Sequence, residues 1–182
     1  MIQLRKIEPQ DLPFLYRWEN DAAAWADGAN HNPLSQQDLR AYIESTTGDI
    51  YRDGQLRLII EQMTNDKCQM TNDKCQMTNV TLGCIDLFDF DSRNRRAAIG
   101  MYIAPEFRGK GVGHEAVKAL EKYAFEFLNM RVLYAIIATS NMACTALYKN
   151  EGYRPSALLT QWTLESDATL WLKTNSDYEQ KD

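Results

Sequence analysis

The run Arg108-Gly109-Lys110-Gly111-Val112-Gly113 gathers what an anion needs from a polypeptide. Glycines at alternate positions let backbone N–H groups face a ligand without Cβ interference. An amphipathic pattern follows at once, so the positive end of a helix meets the same point. Arg108 and Lys110 add mobile cations. The segment lacks the G-x-x-x-x-G-K-[ST] of a P-loop, and position 114 is histidine where the G-x-G-x-x-G dinucleotide fingerprint needs glycine. Metal chemistry has little to build on. Cys68, Cys75, Cys84 and Cys144 include no CxxC pair, and the only histidines are His31 and His114, so no metal site is expected. His114 reads as a surface residue at the start of a helix.

The elements that must hold this loop follow from the hydrophobic pattern. Ile2 to Ile7 alternates like an edge strand, and Glu8 to Pro13 opens a helix with Leu15, Trp18 and Ala22 on one face. Ser35 caps a second helix, with Asp38 as the far half of a capping box and Leu39, Tyr42 and Ile43 as its apolar face. Residues 56–61 and 80–88 read as strands, and Ala97 to Ile103 is an apolar strand closed by Ala104-Pro105. After the glycines comes a long helix over 114–128, with Ala116, Val117, Leu120, Ala124, Phe127 and Leu128 in three-and-four rhythm. The apolar run 132–138 suits a buried strand. Ser140-Asn141 caps a helix ending near Asn150, and Gly152 supplies its stop. Residues 158–164 and 168–173 read as a closing strand pair, and the polar tail from 174 is expected to fray. The predicted fold is α/β: one domain with a mixed central sheet of about seven strands flanked by helices.

Gln62-Met63-Thr64-Asn65-Asp66-Lys67-Cys68 recurs as residues 69–75, and a partial third copy runs to Asn79. Its apolar positions alternate five and two apart, which fails the three-and-four seam of a coiled coil. The Asn-Asp-Lys chemistry suits a length-variable hairpin insertion over 62–79, because added loop length costs little. At 182 residues, 45% hydrophobic and 25% charged, the chain has the profile of a single folded domain. A net charge of −5 argues against nucleic-acid binding through phosphate neutralisation. No stretch is apolar for long enough to predict a membrane helix, and the cysteine usage points to the cytoplasm.

The hexapeptide 108–113 also fits, at every fixed position, the [RQ]-x-x-G-x-[GA] pyrophosphate loop of the GNAT acyltransferases, and the chain resembles that family beyond those six residues. Strand, loop, helix and strand follow in the family's order. Then comes Asn141 to Tyr153, similar to N-x-x-A-x-x-L-Y-x-x-x-G-[FY] with Cys144 in the alanine slot. The resemblance implies a domain over residues 1–174 with a short polar tail at 175–182. It also implies a splayed pair of parallel strands, 97–103 and 132–138, that admits acetyl-CoA as cosubstrate. On that reading the pantetheine arm lies along Met101, Tyr102 and Ile103. The pyrophosphate sits on Arg108, Gly109, Lys110, Gly111, Val112 and Gly113, with Asn141 and Lys149 completing the cofactor side. Tyr148, a half-buried helix aromatic on residue type alone, becomes the general acid toward the departing thiolate.

A protonated amine cannot attack a thioester, so a base is needed. Asp86 and Asp89 are the candidates. Strand alternation points them to opposite faces unless the strand bulges, and Asp91 stands at the strand end. Acetyl transfer in the family is direct, so Cys144 is no nucleophile for it. The segment 83–91 with Arg95-Arg96-Ala97 resembles the spermidine and diamine acetyltransferases most, then the ribosomal-protein N-acetyltransferases. The expected acceptor is a small primary amine such as spermidine. The alternatives are a protein N-terminus, or a CoA-binding domain without turnover, which the intact Tyr148 argues against. The resemblance also allows a homodimer or higher homo-oligomer.

Overall fold

β1 (Ile2–Lys6) lies at one edge of a seven-stranded sheet because only its inner side is paired, with β2 (Leu56–Thr64). The computed structural model describes residues 2–21, 32–64, 78–163 and 165–179. β2 continues antiparallel into β3 (Thr78–Asp91), and a tight turn leads to β4 (Arg96–Ile103). β4 runs parallel to β5 (Val132–Ala138), β5 antiparallel to β7 (Ala168–Thr174), and β6 (Arg154–Leu159) forms the far edge.

Each face of the sheet has its own core. On one side α1 (Leu12–Glu19), entered through a 3-10 turn at Pro9–Asp11, and α2 (Gln36–Ser45) set Leu15, Trp18, Leu39 and Ile43 against Ile59 and Cys84. Fully burying each such side chain contributes about 1.5–3 kcal/mol. Ser35 and Asp38 make the expected reciprocal capping box. On the other side α4 (Val112–Lys122) packs Ala116, Val117 and Leu120 against Ile60, Leu82, Ile85, Leu87, Ile99 and Leu133. α5 (Met142–Asn150) follows β5, and Gly152, at φ 89°, ends it as expected. A one-turn helix, α3 (Ile50–Asp53), was not anticipated; its Asp49 cap and buried Ile50 dock it before β2.

Several expectations are corrected. The helix over 114–128 begins at Val112 and passes after Lys122 into a π-helical turn, Tyr123–Phe127. The wider turn rotates the following residues, so Phe125 is buried and Phe127 is 71% exposed, the reverse of the three-and-four reading. β5 is not buried on both faces: Leu133, Ala135 and Ile137 face α4, whereas Ile136 is 43% exposed on the other side. The closing pair begins earlier, with β6 at Arg154–Leu159. Residues 175–179, expected to fray, form a helix, α6 (Asn175–Glu179), capped reciprocally by Thr174 and Asp177, with Tyr178 against Phe125. The ladder of β2 and β3 reaches Thr64 and Thr78, so the first and last residues of the repeat pair as a hairpin would. Residues 65–77 of the repeat, with Cys68 and Cys75, lie outside the described residues, as do Ala22 and His31.

Candidate active site

β4 and β5 pair at only three positions, Arg96 with Val132, Ala97 with Leu133 and Ala98 with Tyr134. Beyond Ala98, β4 stays on β3 as far as Ile103 and β5 stays on β7 as far as Ala138, so the parallel strands part. The Ala104 N–H donates to the Leu82 carbonyl at 2.9 Å, which turns the even-numbered amides of β4 toward β3. By alternation the N–H and C=O groups of Ile99, Met101 and Ile103 face the gap. The structure thus brings Met101 and Ile103 to the cleft edge and leaves Tyr102 off it. The Tyr102 ring lies on the α1 side against Trp18, and its hydroxyl donates to Asp21 at 3.1 Å. Such a slot, with one strand edge unpaired, accepts an extended chain carrying its own amides.

At the end of β4 a 3-10 turn, Pro105–Phe107, feeds the glycine loop. Gly109 and Gly111 have φ of 71° and 80°, and a Cβ at either would meet nothing within 4 Å, so the backbone conformation is what demands glycine there. Gly113 is a packing requirement instead: a Cβ would come within 3.3 Å of Met101 and 3.4 Å of Leu147, where β4, α4 and α5 converge. Gly111 caps α4 without a side chain, which leaves the first-turn N–H groups to an anion. The Arg108 Nε donates to the Ile103 carbonyl at 2.9 Å, with its guanidinium over the Tyr102 ring, and Lys110 sits over Phe107. His114 is 2.7 Å through Nδ1 from the buried Glu151.

On α5 the Asn141 side chain accepts the Cys144 N–H at 3.0 Å, which fixes the helix start beside the cleft. Tyr148, one turn further on than Cys144, is only 2% exposed, with its ring edge-on to Tyr153 at 4.9 Å. Its hydroxyl has no hydrogen-bond partner among the described residues. Burial, with Cys144 and the Glu121 carboxylate nearby, holds the phenol well above its ordinary value, so it stays protonated. Lys149 is exposed.

The carboxylates behave differently from each other. Asp86 faces α1 and α2, and Arg57 donates to both its oxygens, at 2.8 and 2.9 Å. The same guanidinium also bonds Glu19 and lies over the Tyr42 ring. β3 does bulge, between Phe88 and Asp91, and Asp89 adopts φ 48°. That extra residue turns Asp89 to the face of Asp86, where it accepts the Tyr134 hydroxyl. Partial burial, with Asp89 as hydrogen-bond partner, pushes Tyr134 up to about 12. Asp91 instead caps the β3–β4 turn through Asn94. Arg57, Glu19 and Tyr134 were not legible in the sequence; the available signal was the charge complementarity of Arg57 with Asp86, visible only once the β2–β3 register is known.

A glycine anion loop, parted parallel strands and a buried phenol on the next helix define a transferase that takes an acyl group from a CoA thioester. The chain belongs to the GNAT acetyltransferases: the family model described as an acetyltransferase (GNAT) domain matches residues 2–154. It is an N-acetyltransferase with acetyl-CoA as cosubstrate. It is 24% identical over 156 residues to the spermidine N(1)-acetyltransferase of Escherichia coli strain K12, covering 84% of this chain and 72% of that protein. A Bacillus subtilis protein, YdaF, provisionally named a ribosomal N-acetyltransferase, is 38% identical over 71 residues, 39% of each chain. The fold matches that of spermidine N-acetyltransferase from Vibrio cholerae, solved with CoA and spermine, with a TM-score of 0.80 and 20% identity over 98% of both chains. Among the described residues no helix is long and apolar enough to cross a membrane.

Proposed function

We propose that this chain acetylates a primary amine of a polyamine or diamine such as spermidine by direct attack on acetyl-CoA. The observation that carries the reading is the parting of β4 from β5, with Tyr148 buried on the helix that follows β5 and Glu19 and Asp86 on the α1 side. The residues present fit the cosubstrate: the cleft-facing amides of Met101 and Ile103 suit the pantetheine arm, and the glycine loop with Arg108 and Lys110 suits the pyrophosphate. Asn141 and Lys149 stand on the same side as candidates to hold the arm. Acetyl-CoA supplies the activated acetyl group. Tyr148 then gives a hydrogen bond that strengthens as charge develops on the sulfur. Asp86 and Asp89, on one face through the bulge, attract the cationic acceptor and take its proton directly or through water. Because Arg57 holds Asp86 from behind, that carboxylate keeps one orientation while the amine approaches.

Glu19 and Asp86 outnumber the Arg57 that bridges them, which suits a cationic acceptor. The names of the E. coli and Vibrio cholerae relatives support the same acceptor class. A structural neighbour, the Vibrio cholerae enzyme, is described as dodecameric, and self-assembly of this chain into a homodimer or larger homo-oligomer belongs to the proposal, as does a cytoplasmic location. CoA release would be followed with spermidine, spermine, putrescine, lysine, aminoglycosides and peptides starting in alanine or serine. Turnover with polyamines and not peptides supports the reading. Turnover with peptides alone replaces it with protein N-terminal acetylation, which the YdaF likeness favours.

A further inference from the structure

Cys144 stands in the slot where the family pattern has alanine, and it is the third residue of the nine-residue helix that carries Tyr148. Helical side chains lean back toward the N-terminus, so a tyrosine covers the residue four positions before it. Tyr148 accordingly lies over Cys144, which packs against the same core. The Tyr148 side chain is 2% exposed and its hydroxyl takes no hydrogen bond among the described residues, which leaves that donor to a ligand atom. In the reaction that atom is the CoA sulfur. A thiol one turn from it is therefore within reach of the only other sulfur chemistry the cosubstrate offers.

We propose that Cys144 is a site of reversible thiolation by CoA, with CoA disulfide as the co-reactant. This rests on the placement of the CoA sulfur beside Tyr148 given above. The Cys144 thiolate attacks one sulfur of CoA disulfide, a protein–CoA disulfide forms as the CoA–CoA bond breaks, and the expelled CoA thiolate takes up the proton that Cys144 lost. One disulfide is exchanged for another, and no further oxidant is consumed. Cys144 stands in the first turn of its helix and is partly accessible there. Cys84 offers the contrast: it is buried under α1 and α2 and pushed up to about 12, chiefly by that burial, so its thiol stays inert. The tethered CoA fills the cleft as a product would, and the enzyme is off until a thiol releases it.

The test uses the full chain with C68S and C75S, which removes the repeat's thiols, treated with CoA disulfide and in parallel with glutathione disulfide. Intact mass and peptide mapping locate the adduct, and activity is followed as a fraction of each sample's own starting rate. One CoA on Cys144 is expected, formed at least an order of magnitude more slowly with glutathione disulfide or under saturating acetyl-CoA. Activity should fall with the adduct and return with dithiothreitol, while C144A holds its own starting rate throughout. Absence of the adduct, or an adduct forming at equal rates with both disulfides and indifferent to acetyl-CoA, overturns the inference. Acetyl-CoA binding, measured calorimetrically on the same sample, separates the two levels. Binding with Cys144 unmodified sinks this inference alone, and no binding sinks the cleft assignment with it.

Discussion

A phenol that must give a hydrogen bond to a departing thiolate works only while it keeps its proton. Tyr148 is buried beside Cys144 and Glu121, and each of these influences disfavours the phenolate, so its ionisation lies above the ordinary value of 10.0. The pH profile of turnover should therefore rise as the acceptor amine loses its proton and show no falling limb from Tyr148 below about pH 10. Tyr148→Phe keeps the ring that meets Tyr153 and removes only the hydroxyl. Its kcat should fall by about 10²–10⁴-fold, the range for a positioned acid, with the KM for acetyl-CoA little changed and the rising limb retained. A KM that climbs while kcat holds would instead make Tyr148 a binding residue.

At the level of elements, two glycines illustrate different demands on one sheet. A Cβ on Gly83 would lie 2.1 Å from the Tyr102 carbonyl oxygen, a backbone atom that cannot move without opening the β3–β4 ladder. Gly83→Ala should therefore unfold the protein or lower Tm steeply, whereas Gly109→Ala, at φ 71° with open space around it, should cost only about 1–2 kcal/mol and act mainly on the acetyl-CoA KM. The buried pair Lys173 and Glu121, at 2.7 Å, ties β7 to α4. Burial raises Glu121 above its ordinary 4.5 despite Lys173, so the stability this carboxyl contributes is full below pH 4.5 and is lost as pH rises toward its folded value. Glu121→Leu alone strands a buried ammonium and should cost about 3–5 kcal/mol, while Glu121→Leu with Lys173→Met should be neutral or better by about 1–4 kcal/mol. Thermal melts across pH 4 to 8 would check both, the double variant losing the wild-type decline above about pH 4.5. Much of this element level was legible: seven strands, the glycine turn and the Asn141-capped helix follow from period, punctuation and caps. The π turn, the Asp89 bulge and the Arg57–Asp86–Glu19 cluster were not, because each depends on register or on partners distant in sequence. Asp89 shows the difference: alternation sent it away from Asp86, and one inserted residue brought it back.

Across the whole molecule, the heptapeptide repeat is the part of the sequence with the least connection to the chemistry. Its two ends are fixed by the ladder that closes at Thr64 and Thr78, the acetyl-CoA elements β4, β5 and α5 are all built from residue 96 onward, and Asp86 and Asp89 stand toward the far end of β3 from the repeat. Removing residues 69–75 deletes one full unit and leaves both flanks of the ladder intact. Thirteen residues separate Thr64 from Thr78 and six would remain, so the closure entropy changes by about 0.6 kcal/mol, the cost of roughly one halving of loop length. For a domain of this size that corresponds to a Tm shift of about 1–3 °C, in the direction of greater stability. The deletion should accordingly leave kcat and the acetyl-CoA KM within about twofold of the parent while the melt moves up slightly. A tenfold rise in either KM would show that the repeat reaches the acceptor or the cosubstrate, and a changed assembly size by light scattering would give it a place between subunits. Equal kinetics and equal size leave it as added length on a hairpin, which a sheet with both neighbours already paired can carry at almost no cost.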